Sequence, residues 1–199
     1  KIFYEQGYKK TEEAFKWLSD MGLDAFEYPA GNGITASLST FEALGRKAAV
    51  NSIKTSFHAP YYISLSGVEE EKREKSVDYI EKSHACAKAL GAGIIVIHTG
   101  SAAKISRETA VSYAKHTMAK ALERIPDEGI KFGLETMGKQ NQLGTLGEVL
   151  DICSVDKRLC PVVDFGHMNA RNAGSLFRTR DDYRRVFEQI DHALGAEYA

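Results

Sequence analysis

Imidazole and carboxylate side chains follow short apolar stretches at regular intervals along this chain. His58, His98 and Glu135 each end one such stretch, and Asp164 and His167 follow the next. Their separations approach the ~30 or more residues that one strand–helix–strand step requires. Such side chains, brought together at one sheet edge, are ligands that suit Zn²⁺, Mn²⁺ or Fe²⁺. Because five ligands exceed the needs of one tetrahedral ion, the pattern predicts a site for two or more ions.

A structural role is the alternative for each of these residues taken alone. A single histidine is more often hydrogen-bonded in a structural setting than bound to a metal, and this applies to His98. Glu135 is harder to explain in that way, since an unpaired buried carboxylate is costly. Three other histidines fall inside predicted helices, where we expect them to be structural or solvated: His84, His116 and His192.

Arginines that follow the Asp164–His167 turn are candidates for phosphate binding. These are Arg171, Arg178 and Arg180, although exposed arginines are common in proteins. A glycine-containing turn at residues 91–93 precedes its strand rather than following it, so it does not fit a dinucleotide-binding loop.

The elements that must position these residues alternate between helix and strand. Strands are predicted from short apolar stretches at residues 24–28, 53–58, 93–98, 130–135 and 160–163. Helices are predicted from apolar residues at helical spacing at residues 11–21, 41–48, 69–90, 106–125, 145–152 and 179–194. Five strands alternating with six helices indicate an α/β fold with a parallel sheet of right-handed βαβ units. Val162 and Val163 are expected to be buried in the last strand.

This order of elements predicts an incomplete (β/α)₈ TIM barrel. An intact barrel begins on a strand, has eight strands and typically needs about 250 residues. The 199 residues are therefore expected to form a single partial TIM-barrel domain, residues 1–199, without the first strand and the last two βα units. A complete but smaller doubly wound fold is the competing interpretation.

Composition argues against several classes of protein. The net charge of −1 provides no overall basic field for nucleic acid or membrane, although a local basic groove remains compatible with it. No apolar run approaches the ~18 residues of a membrane span, and the first residues lack the apolar core of a signal peptide. The three cysteines form no metal-binding or redox pair motif, so we expect a reduced, cytoplasmic protein.

The motifs around the candidate ligands resemble the endonuclease IV family (AP endonuclease family 2) within the xylose-isomerase-like TIM-barrel superfamily. Four parts of the chain carry the resemblance: residues 56–65, 97–101, 133–136 with 142–144, and 163–167. It implies a hydrolase active in DNA repair, a TIM barrel that binds zinc ions at its carboxyl rim and cleaves the DNA backbone at abasic sites. Two or three zinc ions are expected in the complete protein.

The same resemblance implies a role for each candidate residue. His58 and His98 match ligands of one zinc ion, and Glu135 matches the catalytic carboxylate that bridges two. Asp164 matches a ligand of the second ion, and His167 matches a ligand of the third.

Other positions agree with the family less closely. Tyr61 matches a substrate-binding position in a loop that faces DNA. Ala59-Pro60 stands where the DNA enzymes usually have Asp-Ser, Thr99 replaces a proline and Thr136 replaces an asparagine. The family's remaining ligands would lie beyond Ala199, so residues 1–199 alone are expected to be inactive.

Two alternatives to a DNA-cleaving phosphodiesterase remain open on these residues. One is a sugar isomerase or epimerase of the same superfamily, which would use one Mn²⁺ or Mg²⁺ ion and a small sugar or sugar phosphate. The other is a metal-binding or interaction domain without catalytic activity. The His58/His98 pair favours the phosphodiesterase, since a one-metal isomerase does not need these two residues.

Overall fold

A computed structural model describes residues 2–199, and at its centre lies one sheet of five parallel strands. The strands pair in the order in which they occur along the chain, β1 to β5. They are β1 (Ala25–Pro29), β2 (Lys54–His58), β3 (Ile94–His98), β4 (Lys131–Glu135) and β5 (Leu159–Val162). The predicted α/β class, the number of strands and their parallel arrangement are confirmed.

Eight α-helices and a final short 3₁₀ helix, Ala196–Tyr198, accompany the sheet in the described residues. The helices are α1 (Ile2–Glu5), α2 (Thr11–Asp20), α3 (Leu38–Val50), α4 (Glu70–Leu90), α5 (Arg107–Arg124), α6 (Leu146–Cys153), α7 (Phe165–Arg171) and α8 (Arg180–Leu194). All six predicted helices are present, and the predicted count was too low by the two short helices α1 and α7. No helix in residues 2–199 is both long enough and apolar enough to span a membrane.

Local sequence signals explain where several helices begin and end. Thr145 and Glu148 form the predicted capping box of α6, each side chain bonding to the main chain of the other. Gly91 ends α4 with φ of 73°, a left-handed conformation that glycine adopts without steric cost. Helix α2 begins at Thr11, and its N-cap position is Lys10.

The main core lies between the sheet and helices α2 to α6. Large side chains that are fully buried include Phe57 of β2, Ile95 of β3 and Leu134 of β4, together with Phe41 of α3. A smaller apolar cluster joins α6 and α8 through residues such as Leu150 and Ile190, with α7 packed against it.

The strand β5 is less buried than its sequence predicts. Val162 and Val163 are only half-buried, and β5 ends at Val162. The reason is its place at the edge of the sheet, since within residues 2–199 it pairs with β4 alone. The sheet is therefore open in the described part of the chain, and the predicted absence of one strand and two βα units stays a prediction.

Candidate metal centre

The candidate ligands lie together at the carboxyl edge of the sheet. His58, His98 and Glu135 are the last residues of β2, β3 and β4. His98 and Glu135 are also direct neighbours in the register of their two strands. This placement follows from the parallel sheet, in which all strands end at the same edge.

The first cluster consists of two imidazoles facing one oxygen of a buried carboxylate. Oε2 of Glu135 lies 3.7 Å from Nε2 of His58 and 3.0 Å from Nε2 of His98. Two ligands of a tetrahedral zinc ion, each about 2.0–2.1 Å from the metal, lie about 3.3 Å apart. The spacing in the cluster is therefore close to that of three ligands around one ion.

The second cluster shares the same carboxylate and uses its other side. Oε1 of Glu135 lies 3.4 Å from Nδ1 of His167, and this nitrogen lies 3.5 Å from Oδ2 of Asp164. Asp164 is the N-cap of α7, and its Oδ1 accepts a hydrogen bond from the His167 main-chain nitrogen at 2.7 Å. The cap thus brings an aspartate and a histidine three residues apart to one place beside Glu135.

Backbone carbonyls fix the orientation of two of the imidazoles. Nδ1 of His58 donates to the carbonyl oxygen of Ala59 at 2.9 Å, and Nδ1 of His167 donates to that of Thr136 at 3.0 Å. A proton on Nδ1 leaves Nε2 with a free lone pair, which is how metal-binding histidines are usually held. At His58 this free nitrogen is the one that faces Glu135, whereas at His167 the nitrogen nearest Glu135 carries the proton and Nε2 is the candidate ligand atom. Thr136 also bonds through its hydroxyl to the main chain of Asp164, which ties β4 to the second cluster.

Glu135 has the chemistry expected of a metal ligand. Its side chain is only 10% exposed, and its Oε2 accepts no hydrogen bond from any residue in the described range 2–199. Burial raises the pKa of this carboxyl, but the neighbouring His58 and His98 imidazoles outweigh burial and hold the pKa at about 2. A buried, ionised and unpaired oxygen between two imidazoles is costly without a cation, so the residues present fit a divalent metal ion.

His58 shows the matching effect of the carboxylate on the imidazole. Burial lowers the pKa of His58, whereas the Glu135 carboxylate and the Ala59 carbonyl raise it, and the net pKa lies above the ordinary value.

Tyr61, the predicted substrate-binding residue, covers the first cluster. Its ring stacks on His98, with centroids 4.9 Å apart, and meets the edge of His58 at 5.0 Å. The ring is 56% exposed, so one face remains open to solvent. Gly31 makes this position possible, because a Cβ at residue 31 would overlap the Tyr61 ring.

A cavity of about 460 Å³ opens above the ligands. Part of its wall is the segment between β4 and α6, which includes Met137, Lys139 and Gln142. Sequence reasoning used Gln142 only as part of a motif and missed Lys139. Lys139 lies four residues after Glu135 in the sequence, and this position could have marked it as a candidate.

Arg171 has a different role from the predicted phosphate binding. Its guanidinium donates to main-chain carbonyl oxygens of the segment after β4, so its hydrogen-bonding groups are already engaged. Arg178 and Arg180 are exposed and do not line the cavity.

The remaining candidates fit structural roles. His84 is buried, stacks on Phe132 and lies 3.8 Å from Glu128, and burial lowers its pKa. The cysteines Cys86, Cys153 and Cys160 are unpaired, as expected for a reduced protein. Burial raises the pKa of Cys160 to about 11, which keeps its thiol protonated and unreactive near neutral pH.

Comparison with known proteins identifies the family. Residues 15–198 match the xylose isomerase-like TIM barrels, and the chain belongs to this family. An uncharacterized protein of Methanocaldococcus jannaschii is 31% identical over 144 residues, which are 71% of this chain and 52% of that protein. The probable endonuclease 4 of Acholeplasma laidlawii is 26% identical over 167 residues, covering 82% of this chain and 56% of the relative.

A solved structure agrees on the fold. The crystal structure of a D-tagatose 3-epimerase-like protein superposes with a TM-score of 0.72 at 22% identity, over 89% of this chain and 66% of that one. The resemblance to endonuclease IV is therefore confirmed as a distant relationship within the xylose isomerase-like TIM-barrel family. The chain spans about half the length of the curated relatives it matches.

Proposed function

We propose that the complete protein is a zinc-dependent phosphodiesterase that hydrolyses the DNA backbone at abasic sites. One observation carries this proposal: the two ligand clusters share Glu135, with one carboxylate oxygen facing each cluster. A carboxylate placed in this way suits two neighbouring ions, which is the arrangement that phosphodiester cleavage uses. The relationship to a probable endonuclease 4 supports the same activity.

Each candidate residue would have its own role in this activity. His58 and His98 would hold one ion with Oε2 of Glu135, and Asp164 and His167 would hold further ions near Oε1. Zinc ions held by these residues would lower the pKa of bound water and stabilise charge on phosphate oxygens. Glu135 would be the catalytic carboxylate because it fixes the separation of the two metal positions.

Incision of an abasic duplex tests this proposal. The complete protein with zinc should cut an end-labelled duplex at its single abasic site, and Glu135→Gln should abolish the cutting. Glu123→Gln makes the same chemical change on the exposed face of α5 and should retain the activity of the unaltered protein. Full activity in Glu135→Gln would show that the proposed mechanism is wrong.

A divalent-metal sugar isomerase or epimerase is the second candidate. The superposition on an epimerase-like structure and the size of the cavity favour it, since about 460 Å³ accommodates a small sugar. Glu135 and Asp164 would then hold one Mn²⁺ or Mg²⁺ ion. Elemental analysis of the complete protein separates the candidates: two or three zinc ions per chain support the phosphodiesterase, and one manganese or magnesium ion supports the epimerase.

A further inference from the structure

The segment between β4 and α6 is held by an arginine of α7. The Arg171 guanidinium donates to the main-chain carbonyl oxygens of four residues, at 2.7 to 3.3 Å: Met137, Lys139, Gln140 and Gln142. These carbonyls belong to an irregular segment, so they receive from one side chain the hydrogen bonds that a helix or strand would supply. Arg171 lies one turn of α7 beyond His167, and the same helix therefore holds both a candidate ligand and this wall of the cavity.

A second arginine holds the segment from α5. Arg107 donates to the carbonyl oxygens of Gln140 at 3.2 Å and Gln142 at 3.1 Å. The Glu148 carboxylate accepts from Arg107 and also from the main-chain nitrogens of Gly144 and Thr145. The main chain of the segment is thus fixed from both sides, and none of these bonds uses the side chain of Lys139.

Lys139 is exposed and is one of the residues that line the cavity. It is the single lysine or arginine among the described residues that line the cavity with His58, His98 and Glu135. In the described range 2–199 its ammonium forms no ion pair and its side chain donates no hydrogen bond. A lysine on a segment held by these hydrogen bonds, in the same cavity as the ionised Glu135 and the candidate metal ligands, is suited to an anionic part of a substrate.

We propose that Lys139 binds a phosphoryl group of the substrate at the wall of the metal cavity, and that Arg171 is the positioning residue that holds Lys139 there. Lysine is a compact point charge that suits phosphate oxygens, whereas a neutral sugar offers it no opposite charge. This inference rests on the proposed function and deepens it, because it assigns the group that recognises phosphate beside the metal ligands.

Binding of inorganic phosphate to the chain tests the role of Lys139. Calorimetric titration should give a Kd that rises about tenfold in Lys139→Gln, both with and without zinc, since a charge-assisted hydrogen bond is lost. Lys139→Arg should stay within about threefold of the unaltered chain, because the charge remains. Lys47→Gln, the same change on the exposed face of α3, should have no effect.

Equal phosphate affinity in Lys139→Gln and the unaltered chain would overturn the inference. The metal-free measurement separates the two proposals, since absence of zinc binding would contradict the proposed function without altering this comparison.

A double-mutant cycle tests the positioning role of Arg171. Arg171→Met should weaken phosphate binding about as much as Lys139→Gln, and the double variant should be no weaker than Lys139→Gln alone. Arg171→Lys keeps the charge but cannot reach four carbonyls, so it should weaken binding in the same direction and serves if Arg171→Met does not fold. Arg46→Met removes an exposed arginine of α3 and should change nothing. Additive losses in the double variant would contradict the positioning role.

Two phosphate-bearing probes distinguish the sources of the group. A short duplex with one abasic site carries the phosphate of a nucleic-acid backbone, and ribose 5-phosphate carries that of a sugar phosphate. A loss of affinity in Lys139→Gln for the duplex alone assigns the group to a nucleic acid, and a loss for ribose 5-phosphate alone assigns it to a sugar phosphate. Loss for neither probe would overturn the inference.

Discussion

Two glutamates with little exposed side-chain surface flank the irregular segment between β4 and α6: Glu135 before it and Glu148 after it. They differ in how their charge is satisfied. Their side chains are 10% and 14% exposed, and the pKa of each carboxyl is about 2. Burial raises both pKa values. It is outweighed by imidazoles at Glu135 and by Arg107 with main-chain nitrogens at Glu148.

The difference lies in the lone pairs that remain. Glu148 accepts hydrogen bonds from Arg107 at both oxygens, and its Oε2 also accepts from Gly144 and Thr145 at 2.9 Å each. Oε2 of Glu135 accepts none from the described residues. A lowered carboxyl pKa therefore does not by itself distinguish a structural carboxylate from a ligand, whereas an unpaired oxygen facing imidazoles does.

The two glutamates should differ most strongly in their effect on zinc affinity. Glu135→Gln should weaken zinc binding by more than about a hundredfold, because losing a ligand costs more than the about 10–100-fold of losing an outer partner. Glu148→Gln should leave zinc affinity within about threefold. Competition with a chromophoric chelator measures both variants, and equal losses in the two would show that the comparison is mistaken.

Stability should test the structural role of Glu148. Glu148→Gln should lower the free energy of unfolding of the metal-free chain by about 2–3 kcal/mol at pH 7, since the folded carboxyl keeps a pKa well below the unfolded value. A depressed carboxyl pKa stabilises the folded state above the unfolded pKa of 4.5, and this part is lost as the pH falls towards about 2. Urea unfolding between pH 7 and pH 2 measures it. A difference that does not shrink on acidification would contradict this account of Glu148.

A smaller effect is expected on duplex binding when Tyr61, which covers the cluster around Glu135, is displaced. In Gly31→Ala the new methyl group must displace Tyr61 from His98, which should weaken binding of an abasic duplex by about threefold to tenfold through lost aromatic contact. Zinc affinity should stay within about twofold, since Tyr61 contacts the imidazoles without supplying a ligand. Gly147→Ala, where a Cβ meets nothing, is the matched control, and fluorescence anisotropy measures binding. Unchanged duplex affinity in Gly31→Ala would remove Tyr61 from the binding surface.

The convergence of the candidate ligands at the strand ends could be predicted, because periodicity locates strands and a parallel sheet brings their ends together. His58, His98 and Glu135 needed no further information than this. The short helix α7 was missed because its glycine and asparagine give no helical pattern, and its start depends on the Asp164 cap. Gly166 lies within the first turn of α7.

Contacts between distant segments account for the other differences. The structural role of Arg171, one of the candidates for phosphate binding, could not be predicted because its carbonyl partners lie about 30 residues earlier in the chain, beyond any local pattern. The half-buried state of Val162 depends on which strands flank β5, and a sequence run of apolar residues does not reveal an edge position.

The division of Glu135 between two clusters has a consequence for metal loading. Its carboxylate is rigid and planar, so an ion bound at Oε2 would also set the direction of Oε1 towards Asp164 and His167. Binding of the first ion would thus order the Glu135 side chain, and binding of the second ion would not require that ordering again. Filling of the two clusters would then be cooperative, and the linkage would be reciprocal whichever cluster fills first.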